Sequence, residues 1–378
     1  IVSVEEGGSN SVLASYSYDE LLPRRSGMAY GNGANTSYSY ANNDDLLSVA
    51  QNFPTSTVTF GYTYNQVRQR TGTSISDMAY LELPKDDSSQ SYARNEVNQY
   101  TEVNGVSYTY DDNGNLTNDG LNTYVYDSEN RLISVDAVSL GNNVSFGYGP
   151  MGRRVSKVSS GTLNTATTYL LDGAQEIAEY DGTGSVLLRR YIYGPSVDEP
   201  VVRVDVTGGS NTYNYIHQDG LGSVIAVSDV NGNTIEQYGY GPFGESSSLS
   251  GNPYRFTGRR LDPETGLYYY RTRYYSAALG RFMQNDTIGY DGGLNLYAYV
   301  GNNPLTATDP TGRCIPACSA AVGAFVGGVA GGAYYYFTTD DSSFAGFLST
   351  AVIGSGAGAL VVLGSGFACG LVGCRVGG

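Results

Sequence analysis

Tyrosines stand in pairs two residues apart along most of this chain. The pairs are Tyr16/Tyr18, Tyr38/Tyr40, Tyr62/Tyr64, Tyr108/Tyr110, Tyr124/Tyr126, Tyr191/Tyr193, Tyr213/Tyr215, Tyr238/Tyr240 and Tyr297/Tyr299. An i, i+2 spacing puts both rings on one face of a strand. Recurrence at roughly 16–24-residue intervals is a repeat signature. Turn residues follow several pairs, as in Asp111-Asp112-Asn113-Gly114-Asn115, Asp181-Gly182-Thr183-Gly184 and Asn231-Gly232-Asn233. Asn-Gly and Asp-Gly between β-rich runs signal hairpins. Tyr108–Leu116 and Tyr124–Leu132 repeat one unit, Y-x-Y-D-x-x-G/N-x-L. Each hairpin buries little alone, so neighbours must stack. The chain therefore reads as all-β hairpins strung in series.

Composition agrees. The 378 residues include 35 Tyr and 51 Gly, with only 15% charged. Lys and Arg number 21 against 36 Asp and Glu, a net charge of −15. Such a chain is a poor partner for nucleic acid. One histidine excludes most imidazole metal centres and leaves His217 as the single candidate base for a Ser-His or Cys-His pair. Beside Asp219 in a Gly-rich turn it reads as structural. Asp111, Asn113 and Asn115 resemble the start of a calcium loop, but Asn122 stands where a bidentate Glu is needed; turn chemistry explains them better. No metal and no cofactor is expected. Ile1 is not a start methionine, and the chain reads as a fragment or a processed piece.

The densest motifs lie beyond residue 212. They are His217-Gln-Asp219-Gly220-Leu221-Gly222-Ser223, Tyr240-Gly-Pro-Phe-Gly244, Phe256-Thr-Gly258 through Tyr275, Leu279-Gly-Arg281-Phe282, and Asn295-Leu-Tyr-Ala-Tyr299 through Pro304. Together they resemble the RHS-associated core of RHS/YD-repeat proteins, a family that includes Tc-toxin C components, bacterial polymorphic toxins and, more distantly, teneurins. The resemblance implies hairpins wound into a β shell, or cocoon. It divides the chain into a YD-repeat wall (1–212), a core with a self-cleavage site (213–313) and a variable C-terminal effector (314–378).

The resemblance also implies a single-turnover aspartyl self-cleavage. Two D-P-x-G motifs carry it in the family. Here they read Asp286-Thr287-Ile288-Gly289 and Asp309-Pro310-Thr311-Gly312, at the family's spacing, with Arg273 matching the assisting arginine. Two close carboxylates share a proton, so one can activate water while the other protonates the leaving amide nitrogen. A guanidinium beside them orients an ionised carboxylate. Cleavage is expected between Arg313 and Cys314. The chain departs from the pattern twice, with Thr287 for Pro and Arg313 for the usual Leu; the first loosens a turn, the second introduces a guanidinium that is costly to bury unpaired.

Beyond Arg313 the composition changes. Asp340, Asp341 and Arg375 are the charged residues of 314–378, which has no His, Lys or Glu. Nuclease and deaminase chemistry need such residues. Cys314–Thr339 and Ser342–Cys374 are uncharged and each exceeds the ~20 residues that span a bilayer as a helix. Gly323, Gly327 and Gly331, then Gly354 and Gly358, follow the small-xxx-small pattern of close helix packing in lipid. This predicts a small helical, membrane-active hairpin with Asp340-Asp341 in its turn. The cysteines, Cys314, Cys318, Cys369 and Cys374, favour a disulfide over a metal site in so apolar a setting.

The chain is expected to be a secreted or cell-surface toxin-type shell that encloses its own C-terminal peptide. Its expected partners are that peptide, a delivery-system or other toxin component, and a target membrane, with no nucleic acid. The alternative is an adhesive surface protein whose tail anchors it uncleaved.

Overall fold

A computed structural model describes residues 2–6, 11–22, 24–82 and 89–313. Cys314 and the glycine stripe at Gly323, Gly327, Gly331, Gly354 and Gly358 lie outside the described residues. Among the described residues, antiparallel sheets of seven, three, thirteen and four strands hold nearly all the regular structure, with only short 3₁₀ turns besides. Strands pair with their neighbours in sequence throughout each sheet. Hairpins strung in series are thus what the chain forms. No helix among these residues is long and apolar enough to cross a membrane.

The tyrosine pairs explain how hairpins join. Both rings turn inward while the residue between them points out, as at Tyr16-Ser17-Tyr18 and Tyr62-Thr63-Tyr64. The second tyrosine marks a register shift at Ser17/Tyr18, Ser39/Tyr40, Thr63/Tyr64, Thr109/Tyr110, Val125/Tyr126 and Ile192/Tyr193. A bulge bends and twists a strand. At Tyr40, Tyr64 and Tyr193 the phenol then reaches back to a neighbouring strand, as it does at Tyr148, where the register shifts after Gly147, whereas Tyr110 Oη accepts the Tyr100 N–H. Tyr40 Oη donates to the Arg25 carbonyl at 2.9 Å, Tyr64 to Leu46 at 2.9 Å, Tyr148 to Leu132 at 2.6 Å and Tyr193 to Glu176 at 3.0 Å.

The turns differ in type from the simple Asn-Gly hairpin. In Asp111–Asn115 the Asp111 carboxylate accepts the N–H groups of Asn113 and Asn115 at 3.0 and 2.8 Å. Gly114 takes a left-handed φ of 83°. The Asp127 turn repeats this, with Asn130 at φ 60°. An Asx-capped turn closed by a left-handed residue takes Asp or Asn first and favours Gly or Asn fourth, although Arg68 fills the fourth position of the Asn65 turn at φ 62°. That is the chemistry behind the D-x-x-G/N signal.

Three cores follow. One lies between the seven-stranded sheet and the end of the thirteen-stranded sheet, where Tyr16, Val49 and Phe60 meet Val202, Val204 and Ile225. A second packs Leu116, Leu132 and Phe146 against Leu267 and Tyr274. The third gathers Tyr270, Tyr275, Phe282 and Tyr299. The strand Ser210–Gln218 spans residue 212 without interruption, so the division drawn there follows motif density rather than a break in the wall.

His217 belongs to the first core. It is fully buried, with Nε2 2.7 Å from Ser228 Oγ and the ring 4.5 Å from Tyr30 and 4.7 Å from Phe53. Burial pushes its pKa down to about 3, so it is neutral.

Candidate functional site

Arg273 is the centre of the site. It precedes the strand Tyr274–Ser276 of the four-stranded sheet. Its guanidinium lies 3.6 Å over the Phe282 ring, which fixes its plane. Nε donates to the Gly312 carbonyl at 2.5 Å and Nη1 to the Leu296 carbonyl at 3.0 Å. Nη2 stands 2.9 Å from Asp286 Oδ2 and 3.6 Å from Asp309 Oδ2. Arg273, Asp286 and Asp309 are therefore brought together, with Arg273 and Asp309 removed from solvent and Asp286 9% exposed.

Each aspartate also caps its own turn. Asp286 Oδ1 accepts the Ile288 N–H at 3.1 Å. Gly289 closes that turn at φ 61° and donates its N–H to the Asp286 carbonyl at 3.0 Å. The turn forms with exposed Thr287 in place of proline. Asp309 Oδ1 accepts the N–H groups of Thr311 and Arg313 at 3.2 and 3.1 Å. The Thr311 hydroxyl lies 3.3 Å from the Arg313 carbonyl oxygen. Turn capping occupies one oxygen of each carboxylate and aims the other at Arg273.

Electrostatics pull two ways. Burial raises the pKa of Asp286; Arg273 opposes it, and Asp309 adds to it. Burial raises Asp309 too, against Arg273 and the Thr311 and Arg313 N–H groups. A raised pair beside one guanidinium retains a proton more readily than free aspartates do.

Close backbone approach demands Gly312. Its φ is 73°, and a Cβ there would overlap the Tyr270 carbonyl oxygen and come 2.6 Å from Thr272 Oγ1. Thr272 Oγ1 donates towards the Thr311 and Gly312 carbonyls at 3.0 and 2.9 Å. Arg313 is half-buried, its N–H held by Asp309.

Sequence reasoning missed two groups. The Pro310 carbonyl accepts from Arg259 Nη1 at 3.3 Å and from Arg271 Nη1, and both guanidiniums pair with Asp198. Asp262 is fully buried, between Arg154 and Lys157. Asp262-Pro263 looks like another aspartyl motif, yet it serves as an ion pair between sheets. The signal for both was an excess of arginine in a chain of low charge, which says nothing of partners.

Comparison with known proteins bears on the fold that carries these residues. A family model described as Teneurin YD-shell matches residues 24–305. The chain belongs to the YD-shell family. Among relatives of this YD-shell chain, the tRNA3(Ser)-specific nuclease WapA of Bacillus spizizenii is 36% identical over 236 residues, covering 58% of this chain and 10% of that protein. Toxin protein Tse5 of Pseudomonas aeruginosa is 39% identical over 114 residues, covering 29% of this chain and 8% of its own length. The crystal structure of TcdB2–TccC3 without its hypervariable C-terminal region has the same fold, with a TM-score of 0.59 at 21% identity, covering 81% of this chain and 19% of that one. The chain spans about a tenth of the length of the first curated relatives it matches. The RHS/YD-repeat resemblance drawn from the motifs therefore holds.

Proposed function

We propose that this YD-shell encloses its own C-terminal segment and releases it by one self-cleavage between Arg313 and Cys314. The observation that carries the reading is Arg273 Nη2 facing Oδ2 of both Asp286 and Asp309 while Asp309 Oδ1 holds the Arg313 N–H. In the reaction, an ionised carboxylate of the pair takes a proton from water as the water oxygen attacks the Arg313 carbonyl carbon. The protonated carboxylate gives its proton to the Cys314 nitrogen, and the C–N bond breaks. The products are an Arg313 carboxylate and a Cys314 amine. Arg273 holds the charge of the pair throughout. The chain is consumed as its own substrate, with no turnover on another.

Asp309→Asn and Asp286→Asn test this. Each removes a proton carrier while keeping the turn-capping oxygen, so each should leave the shell folded and the chain whole. Release undiminished in both variants would refute the pair.

The relatives named as a toxin and a nuclease support a role in toxin delivery, outside the producing cell or at its surface, with a further toxin component as partner. The tail itself is proposed to act on membranes rather than nucleic acid, supported by its long uncharged runs and i, i+4 glycines. A 314–378 peptide should leak lipid vesicles, more so at acidic pH, where Asp340 and Asp341 insert as neutral groups. No leakage at neutral or acidic pH would end that reading.

A further inference from the structure

We infer that Asp198 is a positioning residue for the cleavage, holding Arg259 and Arg271 on the Pro310 carbonyl and so fixing the loop that carries Asp309 and Arg313. The inference rests on the self-cleavage reading and adds the part played by the shell wall.

Asp198 lies between the strands Leu187–Tyr193 and Pro200–Thr207 of the thirteen-stranded sheet. It is buried. Its Oδ1 lies 2.5 Å from Arg271 Nη2 and also meets Arg259 Nη2. Both guanidiniums donate to the Pro310 carbonyl oxygen, which has two lone pairs to accept them. Arg271 is anchored further by donating Nε to the Ala174 carbonyl at 3.1 Å.

The backbone is bent to make this contact. Asp198 has φ 56° and Arg271 φ 67°, both left-handed. Gly258, at φ 69°, packs so closely that a Cβ would overlap the Asp198 carbonyl oxygen. Left-handed non-glycine residues are strained and persist where surrounding structure demands them. Here three segments converge on one carbonyl, that of the residue after Asp309. The segment 271–273 then grips the loop at three successive carbonyls: Arg271 at Pro310, Thr272 at Thr311 and Gly312, Arg273 at Gly312. Asp198 ties that grip to the wall. A chain whose wall has not closed on its core lacks the carboxylate that sets the two arginines, so cleavage waits for the shell.

A cluster that merely joins wall to core predicts something else: a smaller folded fraction that cleaves at the ordinary rate. Rate and amplitude separate the two. The full chain is made by cell-free synthesis, chased, and sampled for the released fragment and for protease-resistant shell. Asp198→Asn should lower the cleavage rate constant by about tenfold or more, since a misplacement of ~1 Å costs as much as ~100-fold. The fraction finally cleaved and the resistant shell should match wild type, and Asp198→Glu should recover part of the rate. If Asp198→Asn yields no resistant shell, Arg271→Lys takes its place, keeping the charge and losing the fork. A wild-type rate constant in the folded protein, with or without a loss of amplitude, would overturn the inference. A wild-type chain that never cleaves would refute the self-cleavage reading and this inference with it, whereas cleavage in wild type and Asp198→Asn at one rate would refute this inference alone.

Discussion

Asp309 does two jobs with two oxygens. Oδ1 caps the turn that ends at Arg313, and Oδ2 faces Arg273. Turn capping and the proposed acid–base role of the D-P-x-G motif therefore do not compete, because the cap on Oδ1 is what turns Oδ2 towards Arg273. Gly312 makes the same point by steric means. Alanine at its left-handed φ costs about 1 kcal/mol, and its methyl would push the loop off the Tyr270 carbonyl. Gly312→Ala should therefore abolish or strongly slow release while the melting temperature of the shell changes by only a few degrees. Gel quantification of the released fragment decides it, and wild-type release in Gly312→Ala would contradict the account. His217 gives a pH prediction. Its ring faces Gln51, Ser228, Tyr30 and Phe53, all uncharged. The unfolded chain takes up a proton near pH 6.5, and the folded one near about 3. The folded pKa is lowered, so its contribution to stability is fully present above about 6.5. It is lost as pH falls towards about 3, at up to about 1.4 kcal/mol per pH unit. Denaturant midpoints at pH 7 and 5 should fall further in wild type than in His217→Gln. Equal falls would refute the assignment.

At the scale of the element, the repeating unit is a hairpin with a stitch. At Tyr40, Tyr64 and Tyr193 the second tyrosine of a pair bulges its strand, and its phenol holds a carbonyl on the neighbouring strand. Tyr64→Phe keeps the ring and removes only that bond, leaving the Leu46 carbonyl without the phenol. It should destabilise the shell by about 1 kcal/mol, read as a lowered urea midpoint at unchanged slope. No shift would mean that the stitch is incidental. This element was legible in sequence because its determinants are local. A period of two places the rings, and Asp or Asn followed by Gly or Asn three residues later sets the turn. The bulge was not legible, because it depends on how the Asx turn closes against the incoming strand.

At the scale of the whole molecule, wall and core meet through buried charge. Arg154 and Lys157, on one strand of the thirteen-stranded sheet, hold Asp262 of the four-stranded sheet. Asp198 holds Arg259 and Arg271. Neither pairing shows in sequence, since the partners stand far apart along the chain and arginine alone does not name its carboxylate. Asp286, Asp309 and Arg273 were legible only through the motifs around them. Any one of them read alone is a turn residue or a surface charge. What brings them together is the tyrosine core of Tyr270, Tyr275, Phe282 and Tyr299, on which the segment of Arg273 is laid. The central claim is that this assembled shell cuts its own chain once. Intact-mass analysis of the purified 378-residue chain tests it most directly. Two polypeptides meeting at Arg313 and Cys314, and a single 40.2 kDa species for Asp309→Asn, are the predicted result; one uncleaved wild-type mass under every condition of folding and pH would contradict it.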